Sequence, residues 1–314
     1  MKKMKIKGTE ISGNIFLAPM CNVTNLPFRL LCKRYGAAVV YTEMINADAY
    51  LMDSAVTKKR CSILTEERPV GIQMFGSDAG KLAKAAQKIE HDLAPDMIDI
   101  NIGCPAYDVM KNGCGASLLK DPVKLGTLVK KISSSINIPL TCKIRILPND
   151  QDVMDVARVI QGNGAALLTV HGRTAKQGYS GKANWEVIRK IKSGLDIPVV
   201  LNGDITDGRS AKQAFEMTGC DAVMVGRAAI GNPGIFLEIN SYLEGKATQT
   251  TLQSKISALL DYVQLSISLG YTDILPMKMQ AQKTLKGFEG SGKLRDSISR
   301  TESIENLQEL LASI

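Results

Sequence analysis

The stretch MIDINIGCPAYDVMKNGCGASLLKDP (residues 97–122) contains an apolar run, a turn-rich loop and the start of a helix, in that order. The apolar run stops at Asn101, and Gly-Cys-Pro follows it at once. A helix is predicted after Asp121-Pro122, because Asp is a favoured N-cap and Pro is favoured in the first helical turn. The stretch is therefore one strand–loop–helix unit, with a thiol placed where the strand ends.

The same alternation of short apolar runs and amphipathic segments continues up to about residue 240. Apolar runs with few polar interruptions are typical of parallel strands that are covered on both faces. The predicted strands are 14–20, 37–45, 69–75, 97–103, 140–146, 166–172, 198–204 and 222–228. This many strand–helix units favours an α/β fold of the (β/α)8 TIM barrel type over an open doubly wound sheet. The first strand ends in Ala18-Pro19-Met20, without the G-x-G-x-x-G that usually follows strand one of a dinucleotide-binding sheet.

The pattern changes near residue 245, after which apolar residues recur at helical spacing and no strand-like run is found. We therefore predict a barrel domain over residues 1–245 and a small all-α helical domain over residues 246–314.

Composition narrows the class of protein. With 314 residues and 45% hydrophobic content, the chain can bury a large core without disulfides or metals. Its seven cysteines include no C-x-x-C pair, which argues against a zinc or dithiol site, so no metal is predicted. The lysine-rich N-terminus has no apolar stretch behind it, and no run is long enough for a membrane span, so we expect a cytoplasmic protein. We also expect a monomer. The net charge of +8 suits an anionic partner such as nucleic acid.

Polar side chains end almost every predicted strand. In a barrel, the carboxyl ends of the strands carry the functional residues, and a purely structural barrel does not need polar groups there. The residues at these ends are Glu43, Gln73, Asn101, Lys143, Arg145, His171, Arg173, Asn202, Asp204 and Arg227.

Lys143, His171 and the glycines that accompany Arg227 each bear on the chemistry of these strand ends. Lys143 interrupts an apolar strand, and an unpaired buried ammonium costs several kcal/mol, so it must have an anionic or carbonyl partner. Gly203 and Gly226 end neighbouring strands and, together with Arg227, match the phosphate cradle of such barrels. His171 alone would more often be a hydrogen-bonded core histidine than a ligand-binding residue.

Cys104 differs from the other cysteines, which are predicted to be packing residues. It follows Gly103 at a strand end and precedes Pro105. A free thiol is mostly protonated at neutral pH and can therefore give a proton to carbon.

Taken together, the motifs resemble those of the tRNA-dihydrouridine synthases, most closely the bacterial B-type and its archaeal relatives. The resemblance covers nearly the whole chain. The motifs occur in the family's order: LAPM, TEM, GIQMFG, DINIGCP, GASLLKDP, KIR, TVHGRTAKQGYSG, LNGDI and VGRAAIGNP.

The resemblance implies an FMN-binding barrel with a helical tRNA-binding domain, which reduces the C5=C6 bond of a uridine in tRNA and takes its electrons from NADPH. Cys104 then corresponds to the proton donor. The implied cofactor residues are Ala18, Pro19, Met20, Gln73, Lys143, His171, Asn202, Gly203, Asp204, Gly226 and Arg227. Predicted substrate contacts are Asn101, Arg145, Arg173, Lys278, Lys283 and Lys286.

The three lysines form one stripe if residues 278–286 are helical, although a solvated surface face would give the same pattern. Two other functions remain open from the sequence. A flavin barrel could act on a free pyrimidine, as dihydroorotate dehydrogenases do, but a basic helical tail is then unnecessary. A non-catalytic RNA-binding protein would not need Cys104, Lys143 and His171.

Overall fold

The strands form one large parallel sheet and one small hairpin. In the computed structural model, which describes residues 3–246, 248, 250–288 and 290–313, the strands are β1 (Lys3–Ile6), β2 (Thr9–Ser12), β3 (Ile15–Leu17), β4 (Val40–Tyr41), β5 (Ile45–Asn46), β6 (Val70–Phe75), β7 (Met97–Ile102), β8 (Leu140–Arg145), β9 (Leu167–His171), β10 (Val199–Asn202) and β11 (Ala222–Val225).

The large sheet closes into a barrel. Its hydrogen-bonded order is β3-β11-β10-β9-β8-β7-β6-β4, and β5 pairs with β6 beyond β4. A parallel bridge between Phe16 and Val39 joins the two ends of this order. The predicted (β/α)8 barrel is thus confirmed, with the second predicted strand divided into β4 and β5.

The helices are α1 (Leu26–Arg34), α2 (Ala47–Leu51), α3 (Ala55–Arg60), α4 (Ala79–Leu93), α5 (Tyr107–Lys111), α6 (Pro122–Ser133), α7 (Asp150–Gly162), α8 (Trp185–Ser193), α9 (Gly208–Thr218), α10 (Ile235–Leu243), α11 (Leu252–Ser268), α12 (Ile274–Thr284), α13 (Ser291–Arg300) and α14 (Ile304–Ala312). Helices up to α10 lie between or directly after the strands, whereas α11 to α14 follow the last strand and form the C-terminal region. Among the helices described, none is both long enough and apolar enough to cross a membrane.

An N-terminal hairpin, which the sequence analysis did not predict, closes the barrel interior. Strands β1 and β2 pair antiparallel through a turn at Lys7 and Gly8, both at positive φ. Their side chains Ile6 and Ile11 are fully buried in one cluster with Phe16, Met97 and other residues that line the inside of the barrel. The alternation of lysines with apolar residues was the available signal for this hairpin.

The C-terminal helices dock onto the barrel at a glycine. The backbone N–H of Gly231 donates to Gln280 Oε1 over 2.6 Å, and Thr284 Oγ1 donates to the Gly231 carbonyl over 3.1 Å. Gly231 has a φ of 70°, and a Cβ there would collide with the backbone of Thr284 and Lys283. The predicted boundary at residue 245 falls between α10 and α11. The helices share the main core, however, so the division into two domains stays a prediction.

A buried ion pair fixes α1 against the segment that leads into β6. Arg29 Nε donates to Glu67 Oε2 over 2.7 Å, and both side chains are fully buried. The guanidinium also donates to the carbonyls of Thr24 and Ser62. The buried guanidinium and the buried carboxylate therefore satisfy each other, and removing one would leave the other charge without its partner.

We expect Glu67→Gln to lower the free energy of unfolding by about 3 kcal/mol, because the Arg29 charge stays buried with a weaker partner. Urea unfolding followed by circular dichroism measures the effect. The matched control is Glu186→Gln, which disrupts the half-exposed pair with Arg189 and should cost less than about 1 kcal/mol. Equal losses in the two variants would contradict the importance of burial here.

Candidate active site

A cavity of about 650 Å³ opens at the carboxyl end of the barrel strands. This is within the range of roughly 300–1,000 Å³ that is usual for small-molecule sites. The strands are shorter than predicted at this end, so residues such as Gly203 and Gly226 lie in the loops beyond them. The predicted residues that line the cavity are Ala18, Pro19, Met20, Gln73, Asn101, Cys104, Lys143, Arg145, His171, Arg173, Asn202, Gly203, Asp204, Gly226 and Arg227.

The loop that carries Cys104 is fixed from both sides. Asn101 Oδ1 accepts hydrogen bonds from the backbone N–H groups of Gly103, over 3.1 Å, and Cys104, over 2.8 Å. The carbonyl of Cys104 accepts from Ala116 N–H over 3.0 Å. Gly115 has a φ of 59°, and a Cβ at this position would lie only 2.7 Å from the Cys104 carbonyl oxygen. Gly115, which follows Cys114, thus lets the chain return directly beneath Cys104. The Cys104 thiol remains partly exposed to the cavity.

Lys143 has the carbonyl partner that its burial requires. Its Nζ donates to Asn202 Oδ1 over 2.9 Å, and Asn202 Nδ2 donates to the Met224 carbonyl over 2.9 Å. Burial, with the nearby charge of Arg145, lowers the pKa of Lys143 from 10.5 to about 8. The ammonium is therefore still mainly charged at neutral pH and has two further protons to donate.

Positive charge surrounds His171. Burial, followed by the charges of Lys143 and Arg145, lowers the pKa of His171 to about 2, and Arg173 and Arg227 act in the same direction. The imidazole is consequently neutral, with one nitrogen able to donate and the other able to accept. A site with this many cations favours a ligand that carries negative charge.

The predicted substrate residues Arg145 and Arg173 make extensive contacts within the protein. Arg145 is 5% exposed, and its Nε donates to the Gly103 carbonyl over 2.9 Å while its Nη1 donates to Gly178 O over 2.9 Å. Arg173 Nη2 donates to Asp204 Oδ1 over 2.6 Å and to Gly181 O over 2.7 Å. Both guanidinium groups hold the loops around the cavity, and direct contact with a substrate stays a prediction.

Gln73 lies inside β6 rather than at its end, and it is almost fully buried. Its Nε2 donates to Asp99 Oδ2 over 2.7 Å, and its Oε1 accepts from Asn101 Nδ2 over 2.8 Å. Burial raises the pKa of Asp99 to about 6, although hydrogen bonds from Gln73 and Thr141 favour its ionised form. From the sequence, Asp99 was predicted only to be part of an apolar strand.

Two further residues at the cavity mouth were missed. Tyr179 is 60% exposed, and the Arg227 guanidinium carbon lies 4.2 Å from the centroid of its ring. Cys21 was predicted to be a packing residue, which is wrong, because its side chain is exposed and lines the cavity. Its position directly after Met20 at a strand end was the signal for a role at this rim. Cys32, Cys61, Cys114, Cys142 and Cys220 are buried as predicted.

The three predicted tRNA contacts of the C-terminal region, Lys278, Lys283 and Lys286, are not among the residues that line the cavity. Lys278 Nζ donates to the carbonyls of Ser299, over 2.6 Å, and Thr301, over 2.8 Å, and so stabilises the end of α13. Lys283 is exposed on α12, whereas Lys286 is exposed beyond the end of that helix at Thr284. The predicted helical stripe of three lysines is therefore reduced to two exposed cations.

The lining of the cavity is compatible with a flat ring system that carries an anionic group, as the expected flavin does. Gly226 leaves open space beside the apolar residues Ala18 and Met20. A Cβ at position 226 would approach only Ala18 Cβ at 3.8 Å and Met20 Sδ at 4.0 Å. Arg173 Nη1 is buried and has no hydrogen-bond partner among the described residues. Apolar residues, hydrogen-bonding side chains and several cations in one cavity match a flat ring system joined to a phosphate. Among the described residues there is no cluster of three or more side chains that could hold a metal ion.

Comparison with protein families agrees with the geometry. The model of the family described as "Dihydrouridine synthase (Dus)" matches residues 16–314. A "Probable tRNA-dihydrouridine synthase" of Aquifex aeolicus (strain VF5) is 36% identical over 302 residues, which are 94% of each chain. A "tRNA-dihydrouridine synthase B" of Pseudomonas syringae pv. tomato is 32% identical over 97% of this chain and 92% of the relative.

Solved structures with the same fold are more distant. A 2-naphthoyl-CoA reductase complex superposes with a TM-score of 0.60 at 12% identity, covering 78% of this chain and 52% of that chain. Histamine dehydrogenase from Rhizobium sp. 4-9 gives a TM-score of 0.60 at 13% identity, covering 84% of this chain and 50% of that chain. At these identities the likeness shows a shared barrel fold only.

We expect the burial of Lys143 to appear in the pH dependence of unfolding. Between pH 8 and 10.5 the unfolded chain binds the proton that the folded chain has lost, so stability rises with pH by up to roughly 3 kcal/mol from this group. Urea unfolding of the cofactor-free protein between pH 7 and 10.5, compared with Lys143→Met, isolates the effect. Parallel stability curves for the two proteins would contradict the lowered pKa.

Proposed function

The chain belongs to the dihydrouridine synthase family, and from this premise we propose that it reduces specific uridines in tRNA to 5,6-dihydrouridine. The observation that carries the proposal is the cavity itself. It unites a partly exposed thiol on a fixed loop, Cys104, with a half-buried lysine and a neutral histidine, at the catalytic end of the barrel.

FMN is the proposed cofactor. Ala18, Pro19 and Met20 supply an apolar wall for its ring, and their chain is held to the barrel by Ala18 N–H, which donates to the Val225 carbonyl over 2.8 Å. The residues proposed to bond the ring edge are Gln73, Lys143 and His171. The residues proposed for the ribityl chain and phosphate are Asn202, Gly203, Asp204, Gly226 and Arg227.

Bound FMN, reduced by NADPH, would supply a hydride to C6 of the uracil ring. Because the C5=C6 bond is conjugated to the C4 carbonyl, negative charge then develops towards C5 and O4, and an acid must protonate C5. Cys104 is the proposed acid. A positioned general acid typically contributes a factor of 10² to 10⁴ in rate.

The other side chains of the site orient the reacting groups. Arg145 binds the Gly103 carbonyl and thereby holds the Cys104 loop against the loop after β9. Lys143, fixed by Asn202, places positive charge beside the proposed ring edge. The neutral His171 can donate a hydrogen bond there without adding a further charge.

A tRNA substrate requires surface outside the cavity, since its target base must leave the stack at a cost of a few kcal/mol. The net charge of +8 favours association with the phosphate backbone. Lys283 and Lys286 on the helical region are the proposed contacts, and Lys278 is proposed to support them indirectly through its bonds to α13.

Activity on different substrates tests the proposal. The purified protein should bind FMN and, with NADPH, convert uridine to dihydrouridine in bulk tRNA from a bacterial strain that lacks dihydrouridine synthases. Mass spectrometry of nucleosides measures the product. Conversion of free uridine or orotate, with none of tRNA, would favour the free-pyrimidine function instead.

We predict that Cys104→Ala retains its FMN but reduces uridine in tRNA about 10²- to 10⁴-fold more slowly, because the proton donor to C5 is lost. The control is Cys21→Ala, which removes the other thiol at the mouth of the cavity and should retain activity. The opposite result for the two variants would transfer the role of the acid to Cys21.

We predict that Lys283→Glu raises KM for tRNA and leaves kcat unchanged, because a phosphate contact on the helical region is lost. The dependence of log KM on log salt concentration should become shallower by about one unit. Lys212→Glu on the outer barrel helix α9 is a charge-matched control that should leave KM unchanged. An unaltered KM in Lys283→Glu would show that α12 does not contact the tRNA.

A further inference from the structure

A chain of hydrogen bonds leads from a carboxylate inside the barrel to the backbone of Cys104. Gln73, Asp99 and Thr141 lie side by side in the register of β6, β7 and β8. Asp99 is 2% exposed; its Oδ1 accepts from Thr141 Oγ1 over 2.6 Å and its Oδ2 accepts from Gln73 Nε2 over 2.7 Å. Gln73 Oε1 accepts from Asn101 Nδ2, and Asn101 Oδ1 accepts from the N–H groups of the Cys104 loop.

The two ends of this chain determine the direction of both amides. A backbone N–H is always a donor, so the oxygen of Asn101 must face the loop and its NH₂ group must face Gln73. An ionised carboxylate is only an acceptor, so the NH₂ group of Gln73 must face Asp99 and its oxygen must face Asn101. Reversing either amide would bring two acceptors or two donors together inside the barrel, which is costly.

We propose that Asp99 is a positioning residue, which orients the amides of Gln73 and Asn101 and thereby fixes the loop that carries Cys104. This inference deepens the proposed function and rests on it as far as the role of the thiol is concerned. Asp99 itself is screened from the cavity by Gln73 and Asn101, which line the cavity while Asp99 does not.

The chain offers matched variants that separate orientation from simple burial. Asp99→Leu removes the acceptor at nearly constant volume. Asp99→Asn can keep an acceptor for Gln73, because the amide oxygen of the new side chain can accept from Gln73 Nε2. Its NH₂ group then donates to the Thr141 hydroxyl, which can itself donate to the Ile98 carbonyl, 3.4 Å away. Thr141→Val is the control. It removes the buried hydrogen bond from Thr141 to the same carboxylate, but it keeps the hydrogen bonds that lead through Gln73 and Asn101 to the Cys104 backbone.

The test uses the FMN-loaded enzyme and two readouts. The first is alkylation of Cys104 by iodoacetamide, followed by peptide mass spectrometry that separates Cys104 from Cys21. The second is single-turnover reduction of uridine in dihydrouridine-free tRNA, with reduction of the bound flavin by NADPH measured separately.

In Asp99→Leu, alkylation of Cys104 should become about tenfold faster and uridine reduction about tenfold slower, the change expected for one lost buried hydrogen bond. The rate of flavin reduction in Asp99→Leu should stay within about threefold of wild type. In Asp99→Asn and Thr141→Val, Cys104 alkylation and uridine reduction should also stay within about threefold of wild type. Wild-type rates in folded Asp99→Leu would overturn the proposal, and so would equal defects in Asp99→Asn and Asp99→Leu.

A reciprocal exchange keeps the proposal testable if Asp99→Leu does not fold. Gln73→Glu places two carboxylates against each other, and alkylation is measured at about pH 9 to remove the proton that such a pair shares near neutral pH. Adding Asp99→Asn restores a donor between the two side chains. We expect the double variant to recover the slow, wild-type alkylation of Cys104 that Gln73→Glu alone has lost. Absence of recovery would overturn the proposal.

The two proposals fail differently. If wild-type enzyme forms no dihydrouridine but the alkylation pattern holds, the proposed function is wrong while the role of Asp99 in fixing the loop is right. If dihydrouridine forms and the alkylation pattern is absent, only the role of Asp99 is wrong.

Discussion

The site depends on the hydrogen bonds between Asn101 Oδ1 and the backbone N–H groups that follow it. They turn the chain sharply at the end of β7 and place Cys104 at the rim of the cavity. Gly115 permits the return of the loop beneath the thiol, and Arg145 binds the Gly103 carbonyl from β8. A thiol held by several independent contacts can act as an acid on one atom of a substrate, whereas a mobile thiol would protonate less selectively.

Among the described residues that line the cavity there are four cations but one carboxylate, that of Asp204. Lys143 and Arg145 stand on one strand, and Arg227 follows another, while Arg173 is paired with Asp204. This arrangement keeps His171 neutral and leaves net positive charge where a phosphate or a reduced ring system would lie. Lys143 is held by the side chain of Asn202, and both Arg145 and Arg173 donate to carbonyl groups of the loop after β9. Arg227 is exposed and lies over the ring of Tyr179.

The fold and the rim of the site could be predicted from the sequence, because apolar period and strand ends are local signals. The contacts of long side chains could not. Arg145 and Arg173 were predicted to face a substrate, yet their carbonyl partners come from loops that only the tertiary structure brings near. Cys21 was judged by the usual behaviour of free cysteines rather than by its place after a strand end. The role of Asp99 depends on strand register, which no single segment of sequence reveals.

The proposed reaction requires the Cys104 thiol to lie over C5 of a uridine that has left the tRNA stack. A crystal structure of the FMN-loaded enzyme with its tRNA measures this directly. We expect Cys104 Sγ to lie within about 3.5 Å of C5, on the face of the base opposite the cofactor. A uridine in the cavity with Cys104 Sγ turned away from it, or with Cys21 Sγ in that place, would contradict the account.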